Sequence, residues 1–190
     1  MIHATREDWL TAAVSEFSVK FVAAGLPLSD RIRVGSGFTS GGTRKRPGGK
    51  VLTGECWQSN RSGDKTTEII ISPVEADPVR VLGILAHELC HAATGKGHRG
   101  EFSRMARELN LEGPLNATVV GQDFKTTISP MIKRLGDYPH AKLDVSKATK
   151  QSTRMLKCVC PSCGYTVRTT GKWLAVGLPR CPAHGDMPVT

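Results

Sequence analysis

Hydrophobic residues recur along the first half of the chain with the spacing of two long helices. The first is predicted over residues 5–24, where Thr5 is a suitable cap and apolar residues follow at steps of three and four: Leu10, Val14, Phe17 and Phe21. The second is predicted over residues 78–94, between a capping Asp77 and a terminating Gly95. It is apolar almost all round, so we expect it to be a buried, central helix.

Shorter apolar runs predict a small sheet and two more helices. Three segments have the composition of strands: residues 31–34, 51–57 and 68–71. A third helix is expected to begin near Glu101, and a fourth covers residues 122–136, where Pro130 interrupts or bounds it. These elements predict an α+β fold in which helices pack on a small sheet.

Composition divides the chain into three parts. Residues 1–136 hold the predicted domain, residues 137–156 are a polar, aperiodic linker or strap, and residues 157–190 hold four of the six cysteines. No run approaches the roughly 18 apolar residues of a membrane span. The opening MIHATREDWL has no basic start followed by an apolar stretch, as a secretory signal would. We therefore expect a cytoplasmic protein without a membrane partner, favour a monomer, and leave association with the nucleoid open.

The net charge of +9 is concentrated in two basic blocks. Residues 31–65 and residues 142–190 each contain eight Lys or Arg against two acids, so each block carries +6. Two such blocks are typical of proteins that bind polyanions, although a solvated basic surface has the same composition. A Gly-rich loop in the first block carries Arg44, Lys45 and Arg46, which we expect to contact phosphate with little sequence specificity.

The stretch AHELCHAATGKGHRGEF, residues 86–102, is the most informative part of the chain. His87 and His91 are four residues apart, so on a helix their imidazoles lie on the same face. Glu88 is rotated from His87 by about 100 degrees. It could therefore reach a molecule bound between the histidines without being a ligand. This is the spacing of HExxH zinc hydrolases.

A third ligand is needed, because a catalytic zinc site has three protein ligands and one open position. His98 is the candidate, since Gly95 and Gly97 allow the chain to turn back sharply. The metzincin pattern HExxHxxGxxH does not fit, because the third histidine lies one residue too far along. Three imidazoles favour zinc over manganese. The alternative is a structural or inactive site, since so short a motif also occurs by chance.

The chemistry expected of such a site is hydrolysis of an amide bond. Zinc lowers the pKa of its bound water from about 15.7 to about 7. Glu88 would take the proton as general base, the hydroxide would attack the carbonyl, and Glu88 would pass the proton to the leaving amine. The competing hypothesis is a nucleic-acid-binding protein in which this site does no chemistry.

The run HELCHAATGKGHRGEF resembles the SprT-like metallopeptidase family, which includes the Spartan proteases. Its members carry HExxH and then a third histidine followed closely by a phenylalanine that opens the next helix, and His98 and Phe102 fit this pattern. Arg99 stands where a glycine often follows the third histidine. The resemblance covers about residues 5–111 and 155–185.

That resemblance implies a minimal zincin-like domain followed by a zinc ribbon. It also implies an endopeptidase that cleaves proteins bound or crosslinked to DNA, as in repair of DNA–protein crosslinks. A second competing hypothesis is a zinc peptidase with one dedicated protein substrate and no role at nucleic acid.

The C-terminal cysteines form two similar knuckles, Cys160-Pro-Ser-Cys163 and Cys181-Pro-Ala-His184, separated by 17 residues. A structural zinc site takes four N or S ligands, and these four residues supply them. Cys158 could replace His184 as fourth ligand, but the matched pair of knuckles favours His184. We therefore expect two zinc ions, one catalytic and one structural. The alternative is a reduced, Cys-rich tail without metal.

Residues 165–170 and 172–176 are expected to form the β-hairpin between the knuckles. Arg168 and Lys172 are its candidates for phosphate contact. Trp173 could stack on a base, although packing in the core of the module is the commoner role for such a residue.

Overall fold

The computed structural model describes four stretches of the chain: residues 2–40, 51–95, 97–147 and 155–190. The chain divides into two compact units, Met1–Val145 and Ser146–Thr190. Within the described residues the fold is mixed α+β, with five α-helices and several small sheets. This confirms the predicted class. In the same residues no helix is both long and apolar enough to cross a membrane.

Helix α1 (Arg6–Ala23) begins at the predicted cap, where the hydroxyl oxygen of Thr5 accepts a hydrogen bond from Asp8 N at 3.1 Å. Its apolar face is buried in the core of the first unit: Trp9, Leu10, Ala13, Phe17 and Phe21. The helix predicted from the spacing of apolar residues is therefore confirmed.

Three strands form a sheet in the order β1-β3-β2: β1 (Ile32–Ser36), β2 (Gly54–Trp57) and β3 (Thr67–Ile71). β1 runs parallel to β3, and β2 runs antiparallel to it. Because β3 lies between the other two strands, β2 is an edge strand of this sheet. Ile69 and Ile71 of the central strand are buried. The strand predicted over residues 51–57 forms only from Gly54, and residues 51–53 instead line a cleft.

Helix α2 (Pro78–Thr94) is the central element of the first unit. Asp77 Oδ1 accepts a hydrogen bond from Val79 N at 3.0 Å, and Gly95 ends the helix in the left-handed region at φ +60°. Both predicted ends are confirmed. The helix is apolar on most sides and packs against α1 and the sheet; its fully buried side chains include Leu82, Leu85 and Leu89.

Two further helices pack on α2: α3 (Glu101–Glu108) and α4 (Gln122–Leu135). Between them a short hairpin pairs β4 (Leu111–Glu112) with β5 (Val119–Val120). Helix α4 continues through Pro130, which therefore neither bounds nor interrupts it. β5 contacts α2, so the hairpin lies beside the central helix.

The first half of the predicted linker or strap packs on the first unit. The buried guanidinium of Arg6 donates hydrogen bonds to the carbonyl oxygens of Pro139 at 3.1 Å and Ala141 at 3.0 Å. Tyr138 is buried edge-on against Trp9, with 4.9 Å between ring centroids. These residues therefore form a strap that α1 holds in place.

The second unit is built from short elements: β6 (Met155–Val159), β7 (Thr166–Thr170), α5 (Gly171–Leu174), β8 (Arg180–Cys181) and β9 (Gly185–Asp186). β6 pairs antiparallel with β7, and β8 with β9. The prediction that residues 172–176 pair with β7 was wrong. The chain enters a helical turn at Gly171, and β7 pairs with β6 instead.

Candidate metal centres

Three histidines of the first unit converge on one point. His87 and His91 project from the same face of α2, and the turn through Gly95 returns the chain so that His98 faces them. His98 Nε2 lies 3.2 Å from His91 Nε2 and 3.3 Å from His87 Nε2. The three residues thus form a cluster that could hold a metal ion.

The spacing of these nitrogen atoms fits a zinc ion. Tetrahedral coordination with Zn–N bonds of about 2.0–2.1 Å places ligand nitrogens about 3.3–3.4 Å apart. The observed separations of 3.2 and 3.3 Å agree with that requirement. A zinc ion held by three imidazoles would have one tetrahedral position left open, whereas a closed structural site has four protein ligands.

His87 is oriented by a residue from the β4–β5 hairpin. Its Nδ1 lies 2.9 Å from the hydroxyl oxygen of Thr118. A proton on Nδ1 would be donated to this oxygen and would leave Nε2 free to bind metal. Burial, together with the charges of His91 and His98, lowers the pKa of His87 to about 4. The ring is therefore neutral at neutral pH, as metal binding requires.

Phe102 packs against all three imidazoles. It is fully buried in the first turn of α3, and its ring centroid lies 5.1 Å from that of His87, 4.5 Å from His91 and 4.9 Å from His98. The aromatic ring limits the rotation of the three side chains and keeps water from that side of the cluster. This gives a physical reason for a phenylalanine four residues after the third histidine.

Glu88 is held in a buried position beside the cluster, between α2 and the edge strand β2. A Cβ atom at Gly54 would lie 2.7 Å from Glu88 Oε1, so only glycine lets the strand approach this closely. Burial raises the pKa of Glu88 to about 8, and the charge of Glu55 on β2 adds to the effect. The buried environment therefore disfavours the charged form of this carboxyl group.

A cleft of about 690 Å³ opens onto His87 and Glu88. One side is formed by residues 51–54, which lead into β2, and the other by residues 116–120 of the hairpin, with α2 as the floor. The cleft therefore gives access to one histidine of the cluster and to the carboxyl group of Glu88.

The second unit contains a cluster of four donors that could hold a metal ion: Cys160, Cys163, Cys181 and His184. Cys181 Sγ lies 3.7 Å from Cys163 Sγ and 3.5 Å from His184 Nδ1. Tetrahedral zinc with Zn–S bonds of about 2.3 Å requires about 3.7 Å between sulfurs and about 3.6 Å between sulfur and nitrogen. A hydrogen bond from the backbone N–H of Ala183 lowers the pKa of Cys181 to about 6, which favours the ligating thiolate.

The remaining cysteines lie in the packed interior. Cys158, the alternative fourth ligand, is fully buried in β6 and does not belong to the four-donor cluster. Cys90 is buried in α2, and Cys56 of β2 packs against the same core. Burial raises the pKa of both of these thiols to about 12.

The residues predicted to contact nucleic acid fall into two groups. Arg44, Lys45 and Arg46 lie outside the described residues. Arg168 and Lys172 are exposed on the second unit. Trp173 is 58% exposed, with Lys172 Nζ 5.0 Å from its ring centroid, so its packing in the core of the module is excluded.

Comparison of the chain with protein-family models, curated proteins and solved structures finds no match. A functional assignment therefore depends on the two donor clusters. Each brings together the residues that the sequence predicts for it. Sequence reasoning missed Thr118 and Gly54, which come from distant segments and stand in no recognisable motif.

Proposed function

We propose that the chain is a zinc-dependent endopeptidase of the SprT-like type, with a zincin-like first unit. The observation that supports this most is the convergence of three imidazole Nε2 atoms, 3.2 and 3.3 Å apart, beside the buried carboxyl group of Glu88. Zinc held there would supply a Lewis acid for the substrate carbonyl and an acidified water as nucleophile. The adjoining cleft gives a peptide access to these groups.

Glu88 is the proton carrier of the proposed reaction. It accepts a proton from the attacking water at its carboxylate and returns it to the nitrogen of the leaving amine. Its burial against Gly54 limits the water around the carboxyl group. Once protonated in the first step, the same carboxyl group is the acid of the second step.

The second unit is proposed to be a zinc ribbon that holds a structural zinc. Its four cluster residues provide a closed N and S ligand set: Cys160, Cys163, Cys181 and His184. Apart from these ligands, the described part of its core contains little more than Cys158 and Met187, with Val167 and Leu174 packed beside them. Burial of so small a core cannot offset the conformational entropy lost on folding. We therefore expect the unit to unfold without metal.

We further propose that the second unit contacts DNA and that the peptidase acts on DNA-associated proteins. Lys157 stands directly opposite Arg168 in the β6–β7 ladder, and both are exposed. Like charges in this position are unfavourable unless an anion lies between them. Lys172 and Trp173 add a further cation and an exposed aromatic surface on the same unit. The contact proposed for residues 44–46 stays a prediction.

A Glu88→Gln variant tests the peptidase proposal. We expect it to keep its zinc content and fold but to lose cleavage by about 10²- to 10⁴-fold, as removal of a general base does. The substrate is a basic protein crosslinked to a single-stranded oligonucleotide, compared with the same protein free of DNA. Glu108→Gln, a change of the same kind on the exposed face of α3, serves as the matched control and should keep full activity.

Three outcomes would count against parts of this proposal. Equal cleavage by Glu88→Gln and wild type would remove Glu88 from the reaction. A zinc-loaded wild type that cleaves neither substrate would favour a nucleic-acid-binding module with an inactive first cluster. Equal rates of cleavage for the crosslinked and the DNA-free protein would favour a peptidase with one dedicated protein substrate.

A further inference from the structure

The cleft that contains His87 and Glu88 extends beyond the metal cluster. Its floor is one face of α2, where Arg80, Gly83, Ile84 and His87 follow at steps of three and four. A volume of about 690 Å³ is enough to enclose several side chains of a bound peptide. The cleft therefore continues from His87 along α2 towards the start of the helix.

Polar Thr118 contacts His87, and apolar side chains line the cleft one helical turn before it. Val120 of the hairpin forms one wall, Leu52 lies on the other side, and Ile84 belongs to the floor. Val120 Cγ1 occupies the space where a side chain of Gly83 would begin, so the hairpin rests directly on the helix. The side chain of Val120 therefore sets the depth of this pocket.

Further charge in the cleft lies towards the start of α2, away from His87 and Glu88. Among the described lining residues other than His87 and Glu88, the charged ones are Arg80 and Glu75. They are paired with each other through hydrogen bonds of 2.8 and 2.9 Å. Arg80 precedes His87 by seven residues, which is about 10 Å along a helix. An extended peptide covers that distance in about three residues.

We propose that this pocket selects peptides with a large apolar side chain, such as Leu, Met or Phe, directly beside the scissile bond. This inference rests on the peptidase function proposed above and names its substrate class. Val120 and Ile84 are the specificity-determining residues, because both line the cleft one helical turn before His87, where Val120 packs on Gly83. Charged side chains are rejected there, since Glu88 serves the reaction and the other described lining residues near His87 offer them no partner of opposite charge.

The proposal is tested by incubating a random peptide mixture with the zinc-loaded full chain. Mass spectrometry then identifies the new peptide ends. We expect Leu, Met and Phe to be enriched at one position flanking the cut, and charged residues to be depleted there. Val120→Ala should shift the preference towards Phe and Trp by about tenfold, and Val120→Ile should shift it towards smaller side chains. Val19→Ala, the same truncation at a 69% exposed site on α1, should leave the profile unchanged.

A binding measurement covers the case in which no peptide is cleaved. Isothermal titration calorimetry measures the affinity of the zinc-loaded chain for two peptide hydroxamates. One carries an isobutyl group beside the hydroxamate, and the other carries only hydrogen there. The isobutyl compound should bind at least about tenfold more tightly, with a smaller ratio in Val120→Ile.

The two measurements separate this inference from the proposed function. Equal binding of the two hydroxamates, or binding of neither, would overturn the inference. So would cuts without an apolar preference, or a profile that Val120→Ala and Val120→Ile both leave unchanged. Tighter binding of the isobutyl compound without cleavage of any peptide would uphold the pocket and reject the peptidase.

Discussion

The hydroxyl oxygen of Thr118 lies 2.9 Å from Nδ1 of His87, although 31 residues separate them in the chain. The contact joins the hairpin that walls the cleft to a ligand of the proposed metal site. A hydrogen bond of this kind fixes the ring orientation and the tautomer of a metal-binding histidine. The hairpin therefore shapes both the cleft and the histidine cluster.

Thr118→Val removes this hydrogen bond while nearly preserving side-chain shape. We expect affinity for zinc at the histidine cluster to fall by about 10- to 100-fold, as loss of such an orienting partner does. Competition with a fluorescent chelator measures it, and the zinc of the second unit is an internal reference. Thr11→Val, at an exposed position of α1, is the control. Chelator curves that coincide for Thr118→Val and wild type would show that Thr118 does not position His87.

Arg6→Ala should destabilise the first unit by about 3 kcal/mol, because it leaves buried carbonyl oxygens of the strap without a donor. Urea unfolding followed by tryptophan fluorescence measures the change. Arg134→Ala is the comparison, since it breaks an exposed ion pair with Glu16, whose loss should cost much less stability. If both variants unfold at the same urea concentration, the strap is not held by Arg6.

Gly54→Ala places a methyl group against Ile84 and Glu88. The edge strand must then move away from α2, and we expect a loss of about 1–3 kcal/mol in stability together with reduced peptide cleavage. Gly63→Ala, where a Cβ meets nothing within 4 Å, is the matched control. Wild-type stability and activity in Gly54→Ala would mean that the close approach of β2 to Glu88 is unimportant.

Removal of zinc with a chelator should expose the cysteines of the second unit to alkylation at neutral pH. Four sites should react: Cys158, Cys160, Cys163 and Cys181. Cys56 and Cys90 should stay protected, because they belong to the core of the first unit and burial raises the pKa of each thiol to about 12. Mass spectrometry of iodoacetamide adducts gives the result for each site. Equal labelling of the second unit with and without the chelator would argue against a structural metal.

Arg168→Ala should weaken binding to single-stranded DNA and reduce the slope of log affinity against log salt by about 0.7, the value for one phosphate contact. The same change should leave the second unit as stable or more stable, since it removes a like charge opposite Lys157. Lys125→Ala, an exposed lysine on α4, is the control. An unchanged salt slope in Arg168→Ala would remove this ladder pair from the proposed DNA surface.

The sequence by itself determined the features that depend on neighbours within a few residues. Thr5 and Asp77 cap the helices that their positions predicted. The four-residue spacing of His87 and His91 placed both rings on one side of α2. Such features could be predicted because helical geometry and turn preferences act over about one helical turn.

Only the tertiary structure decided which distant segments meet. It brought Thr118 to His87, placed Gly54 against Glu88, and paired β7 with β6 rather than with the residues that follow it. These contacts form because packing brings together apolar surfaces that are far apart in the chain. The spacing of residues within one segment does not show which other segment it will meet. The sequence thus specified the donors of both clusters, and packing supplied the cleft and the residues that orient them.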